Sequence, residues 1–208
     1  MSDARVERLF ATPVLAGMWP GARAHNEGLR AAILQHQAAE RGVTKSNLLG
    51  WQSDTEMTRW GGAPAAALAA DLVARCTEIT SGLTDDAQWI AEMWGNVSPP
   101  GASNQTHAHP GSLWSAVYYV DDGYGGSPDK ALGGELSFLD PRFPMVRMAT
   151  PDLRWRKPDG KLDTQEVWMR PRAGLIVIFP SWLQHSVRPY HGKAQRISIA
   201  TNLWVLEG

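Results

Sequence analysis

The chain has 208 residues, enough for one domain with a sizeable core, and its 20 Gly and 14 Pro favour a turn-rich fold over a helical bundle. With 20 Lys and Arg against 21 Asp and Glu, the formal charge of -1 gives no general attraction to phosphate backbones or anionic lipid, so neither a nucleic acid nor a membrane partner is expected. A single cysteine, Cys76, cannot make an internal disulfide, the polar start MSDARVER lacks a signal peptide's apolar core, and no apolar run approaches the roughly 20 residues that span a bilayer, so a soluble cytoplasmic protein is the expectation.

Residues 8 to 18 read as an extended opening segment, and Pro13, which cannot donate to a ladder, argues for an edge position. From Asn26 to Arg41 the apolar residues Leu29, Ala32, Ile33 and Ala39 fall at helical spacing, with Gly42 as a stop. A second helix is predicted from Pro64 to about Ile79, with Leu68, Leu72, Cys76 and Ile79 on one face and Gly82 after its end. Cys76 therefore reads as core filler. Most of the ten tryptophans lie between Trp51 and Trp204, where large rings suit a sheet core or the wall of a pocket.

After Thr84 the texture changes to short β-like runs punctuated by Gly, Pro and Asn, the pattern of a barrel or sandwich rather than of alternating β-α units. Candidate strands are 88 to 97, 105 to 109, 113 to 120, 134 to 139, 165 to 169, 174 to 179 and 196 to 205. The stretch 140 to 163, with four prolines, reads as a long loop. That loop and the segment around Trp51 and Asp54 are candidates for covering a site. The fold class is thus mainly β with flanking helices: a single domain over 1 to 208, with helical support over about 1 to 84 and a β core over about 85 to 208.

In a strand alternate side chains share a face, so His107 and His109 would project together with Cα atoms about 6.5 to 7 Å apart, close enough to converge on one metal. His185, just past the apolar run LIVIF and the segment PSWLQ, is the natural third donor. Imidazole suits Fe, Zn, Cu and Ni, and three such donors leave open positions for substrate and oxygen. His25, His36 and His191 lack this context and read as helix-surface or loop residues.

The last predicted strand, RISIATNLW, puts Arg196, Ser198, Ala200 and Asn202 on one face and Ile197, Ile199, Thr201 and Leu203 on the other. If the first face points into the barrel, a guanidinium is buried with no acidic partner in its strand. A ligand carboxylate, with Ser198 as a second donor, would satisfy it. A solvent-facing polar stripe is the alternative.

Taken in order, HAHPGSLWSAVYYV, GGELSF, PRAGLIVIFPSWLQHSV and RISIATNLW resemble the 2-oxoglutarate and Fe(II)-dependent oxygenases, in a prolyl-hydroxylase-like arrangement over residues 94 to 204. LFATPV, GWQSD and the HxHPG segment are similar to a bacterial branch of that superfamily. The resemblance implies a double-stranded β-helix (jelly-roll) barrel, Fe(II) as metal, 2-oxoglutarate as cosubstrate, and hydroxylation of a small-molecule or peptide substrate with O2. It also implies that Arg196 and Ser198 bind the oxoglutarate 5-carboxylate, that Tyr119 donates to the same group, and that Asn96 contacts the cosubstrate. The sequence departs from the usual His-x-Asp or His-x-Glu at His109. Either His109 replaces the carboxylate or it stands aside, with Glu135, read as a solvent-facing strand residue, the nearest spare carboxylate. Two other readings stay open. A cupin-type dioxygenase shares the spacing from Gly101 to HAH but lacks the Glu that should follow, and a non-catalytic metal- or carboxylate-binding sensor barrel would suit the missing carboxylate.

Overall fold

The computed structural model describes residues 10–142, 160 and 164–206. Among these residues eleven strands form two antiparallel sheets. From N to C terminus they are β1 (Leu15–Met18), β2 (Asn47–Leu48), β3 (Trp51–Gln52), β4 (Gln88–Ser98), β5 (Ser103–His107), β6 (Trp114–Asp121), β7 (Leu136–Leu139), β8 (Glu166–Met169), β9 (Leu175–Pro180), β10 (His185–Val187) and β11 (Arg196–Leu206). One sheet has the order β1-β9-β6-β11-β4-β3 and the other β2-β5-β10-β7-β8. From β4 onward the chain passes back and forth between them, with only β7 and β8 consecutive in one sheet. That winding is a double-stranded β-helix.

The alternation along β11 decides what each face meets. Ile197, Ile199 and Leu203 are fully buried and join a core with Leu29 and Ile33 of α1 (Ala22–Ala39) and Ala65, Leu68, Leu72 and Cys76 of α3 (Gly62–Glu78). Arg196 and Ser198 turn the other way, toward the second sheet. β9 divides likewise: Ile176 and Ile178 face the helices, while Val177 and Phe179 pack between the sheets with Tyr119, Leu136, Phe138 and Leu183. Burial on both faces explains why LIVIF is a continuous apolar run.

Several boundaries differ from those the sequence suggests. α1 begins at Ala22 because its first turn is built from Ala and Arg, good helix formers that leave no apolar period. Ile79 lies beyond α3 and is 37% exposed. The first 84 residues supply three strands as well as helices: β1 at the edge beside β9, and β2 and β3, each closing the edge of a different sheet. A short helix α2 (Met57–Trp60) follows β3. The candidate strand 105 to 109 ends at His107, leaving His109 outside it. Of the loop 140 to 163, residues 143–159 and 161–163 lie outside the described residues, as do residues 8 and 9 of the opening segment. Among the described residues no helix is long and apolar enough to cross a membrane.

Candidate metal centre

Between the sheets lies a cavity of about 370 Å³. Two of its histidines face each other through sheet register, because His107 ends β5 directly opposite His185, the first residue of β10. His109 reaches them by another route: its backbone N–H donates to the Ser181 carbonyl (2.9 Å), and the Ser181 N–H donates to the Leu113 carbonyl (3.1 Å). The turn after β9 thus holds His109, not strand alternation. One ring nitrogen from each of the three lies within 4.8 Å of the others. His107–His185 ring centroids are 4.3 Å apart, and His109 stands 5.0 and 5.1 Å from the pair.

The hydrogen bonds select the tautomers. A carbonyl only accepts, so the contacts of His107 Nδ1 with the Gln105 oxygen (2.7 Å) and His185 Nδ1 with the Leu183 oxygen (2.9 Å) put the proton on Nδ1. Both Nε2 lone pairs then face inward, which is how a metal-binding imidazole is commonly oriented. Ser46 Oγ sits 3.5 Å from His107 Nε2. Burial lowers all three imidazole pKa values. His109 falls to about 4, with further repulsion from His107, and His185 falls to about 3, with further repulsion from His107 and His109. At neutral pH the trio is uncharged and carries free lone pairs.

The same cavity contains Arg196, 2% exposed. Its Nη1 donates to the Gly134 carbonyl (2.9 Å) and its Nη2 to Ser98 Oγ (3.3 Å), but Nε is buried with no partner. The Tyr119 hydroxyl is likewise buried and unpartnered, and burial pushes its pKa up to about 12, against the pull of Arg196. Its ring centroid is 5.9 Å from the guanidinium carbon. Ser198 pairs in register with Tyr119 on one side and Asn96 on the other, and all three line the cavity. A buried donor without an acceptor costs about 1 to 3 kcal/mol. Two of them, one on the buried cation itself and one beside it, fit an incoming carboxylate.

Glu135 is no spare ligand. It is buried rather than solvent-facing, pairs with Arg188 at 3.1 Å, and lies outside the cavity wall, which contains no Asp or Glu among the described residues. His36 stacks on Trp60 at 4.0 Å and meets Asp54 at 3.3 Å, and His25 stacks on Trp19 at 5.2 Å, both away from the cavity. Gln52 of GWQSD and Thr55, in the segment named as a candidate cover, line it too, while sequence reasoning passes over Lys45, Ser46 and Asn104. These three carry no motif, and only the pairing of β2 with β5 brings them there. Trp94 could have been found, since it alternates with Asn96 along β4; its ring is 5.7 Å from that of His109.

Residues 92–202 match the model of a family described as putative 2OG-Fe(II) oxygenase. No curated protein matches the chain. Solved structures share the fold at low identity. A Pseudomonas putida prolyl-4-hydroxylase is 18% identical, with 94% of each chain covered and a TM-score of 0.60. HygX from Streptomyces hygroscopicus, solved with nickel, 2-oxoglutarate and hygromycin B, is 14% identical over 93% of this chain and 83% of its own, with a TM-score of 0.62. A Trichoplax adhaerens prolyl hydroxylase, in complex with a hypoxia inducible factor peptide fragment, is 13% identical over 87% and 78%, with a TM-score of 0.58.

Proposed function

This chain belongs to the 2OG-Fe(II) oxygenase family, and from that premise we propose that His107, His109 and His185 hold the iron while Arg196, Ser198 and Tyr119 bind the distal carboxylate of 2-oxoglutarate. The observation that carries the assignment is one cavity combining three convergent neutral imidazoles with two buried, unpartnered donors, Arg196 Nε and the Tyr119 hydroxyl. These donor sets fit their intended groups. Imidazole nitrogens suit Fe(II), and a guanidinium with a free N–H suits a carboxylate oxygen.

When bound, iron and 2-oxoglutarate supply the oxidation: O2 is activated as 2-oxoglutarate loses CO2 to become succinate, and a substrate C–H bond is hydroxylated. The chain's own residues bind and orient. The Gln105 and Leu183 carbonyls keep the His107 and His185 rings in the tautomer that presents Nε2. Gly134 and Ser98 fix the plane of the Arg196 guanidinium, so that its unpartnered Nε–H is already aimed when the carboxylate arrives. Asn96, across the strand from Ser198, offers a further amide to the cosubstrate. Trp94 and Phe179, both buried, pack against the His109 and His185 rings and shield them on that side. The prime substrate is a small molecule or a peptide. Residues 1 to 208 act as one oxygenase unit, since β1, β2 and β3 are built into the sheets that frame the site.

The test is an anaerobic titration of the iron-loaded protein with 2-oxoglutarate. A charge-transfer band that saturates with the cosubstrate is expected, followed on admitting air by succinate release with oxygen uptake. Iron binding with neither the band nor succinate would sink the oxygenase assignment of these residues and favour the sensor barrel.

A further inference from the structure

The matched family region begins at residue 92, yet the cavity wall extends to a segment well before it. β2 ends one sheet and β3 ends the other, with only Leu49 and Gly50 between them. This segment links the edge of one sheet, where β2 pairs with β5 and His107 stands, to the edge of the other, where β3 pairs with β4. The segment contributes Lys45, Ser46, Gln52 and Thr55 to the cavity. Ser46 Oγ accepts from Asn104 Nδ2 (3.2 Å) and lies 3.5 Å from His107 Nε2, so the residue next to Lys45 is beside a candidate metal ligand.

A surface lysine alone would carry nothing. What distinguishes Lys45 is the charge around it. It is exposed and lines the cavity, and among the described residues its ammonium has no ion-pair partner and no acidic residue lines the wall. The other cation, Arg196, is deeply buried and held by Gly134 and Ser98. An anion entering past this segment therefore meets the Lys45 ammonium and, among the described residues of the wall, no repelling carboxylate.

We propose that the segment 45–55 selects the prime substrate, and that Lys45 recognises an anionic group, a carboxylate or a phosphate, carried by that substrate. This rests on the oxygenase reading of the site. The experiment uses the protein loaded with Fe(II) and 2-oxoglutarate under nitrogen, titrated calorimetrically with propanoate, methyl phosphate and the neutral propanamide. At least one anion is expected to bind and propanamide is not, with the ranking of the two anions separating carboxylate from phosphate. Lys45→Ala should weaken the preferred anion by roughly three- to tenfold, as suits a partly solvated charge pair, and Lys45→Arg should retain it. Iron and 2-oxoglutarate affinities should stay unchanged in both variants. Equal binding of propanamide, or anion affinity indifferent to Lys45→Ala, would overturn the proposal while leaving the oxygenase reading intact. An equal loss of 2-oxoglutarate affinity in Lys45→Ala would also overturn it, by assigning Lys45 to the cosubstrate. Absence of 2-oxoglutarate binding in the wild type would remove the oxygenase reading and this proposal with it.

Discussion

Three neutral imidazoles leave a divalent metal with its full charge, whereas a carboxylate in the third position would cancel part of it. On the proposed assignment His107→Ala and His185→Ala each remove one of few protein donors, and tight iron binding should be lost while the fold persists, as elemental analysis beside circular dichroism would read. His109→Asp should keep iron. Because it lowers the charge felt by anionic ligands, it should also shift 2-oxoglutarate affinity and the iron potential, the latter read by voltammetry. Iron and 2-oxoglutarate binding untouched by His109→Ala would make His109 a bystander. At the other group of residues, Arg196→Lys keeps charge but loses the planar fork already engaged by Gly134 and Ser98. A charged hydrogen bond is worth about 1.5 to 3 kcal/mol, so 2-oxoglutarate binding should weaken about 10- to 100-fold, with iron retained. Calorimetry under nitrogen measures it, and unchanged affinity in Arg196→Ala would remove Arg196 from the cosubstrate site.

Elements differ in how far their own sequence defines them. β4, β6, β9 and β11 are visible as alternating or continuously apolar runs because each is long enough for its pattern to repeat. β2, β3 and β10 have two or three residues and exist because a neighbour offers an unpaired edge, so no local signal announces them. The candidate site divides the same way. His107 and His185 could be read directly, and Arg196 and Ser198 could be read once the face of β11 was settled, but Lys45 and Ser46 depend on long-range pairing. His109 was found through a strand geometry that does not hold for it; the Ser181 carbonyl does that work. One residue does organise the segment that carries β2 and β3. Asn47, 8% exposed, accepts from the Lys45 N–H (2.8 Å) and donates to the carbonyls of Val43 (3.2 Å) and Gly50 (2.9 Å). Asn47→Ala breaks all three bonds and leaves partly buried backbone groups unmet, at a cost of about 1 to 3 kcal/mol. Amide exchange should accelerate across 43 to 52 with little change in β6 or β9. Unaltered protection in this segment would show that sheet pairing alone holds it.

The molecule as a whole must keep several uncharged imidazoles partly or wholly buried, and this couples the site to global stability. Above about pH 6.5 the imidazoles are neutral in both folded and unfolded chains and add no pH dependence. As pH falls below that value the unfolded chain takes up protons, while burial and mutual repulsion keep His109 neutral down to about 4 and His185 down to about 3. Stability of the metal-free protein should therefore decline from about pH 6.5 toward about pH 3, where the folded state begins to protonate as well. Asp54, whose pKa is lowered by its hydrogen bonds to Trp60, Glu56 and His36 against the desolvation that opposes them, adds its own loss in the carboxylate range. A difference measurement separates the two. His185→Gln removes one buried imidazole and leaves Asp54 alone, so the stability lost between about pH 7 and about pH 5 should be smaller in the variant by on the order of 1 to 2 kcal/mol. Urea unfolding of metal-free protein at the two pH values provides the four numbers. The decline must be shallower in the variant; parallel declines in the two proteins would mean that His185 titrates normally in the fold and that the cavity is wetter than its burial implies.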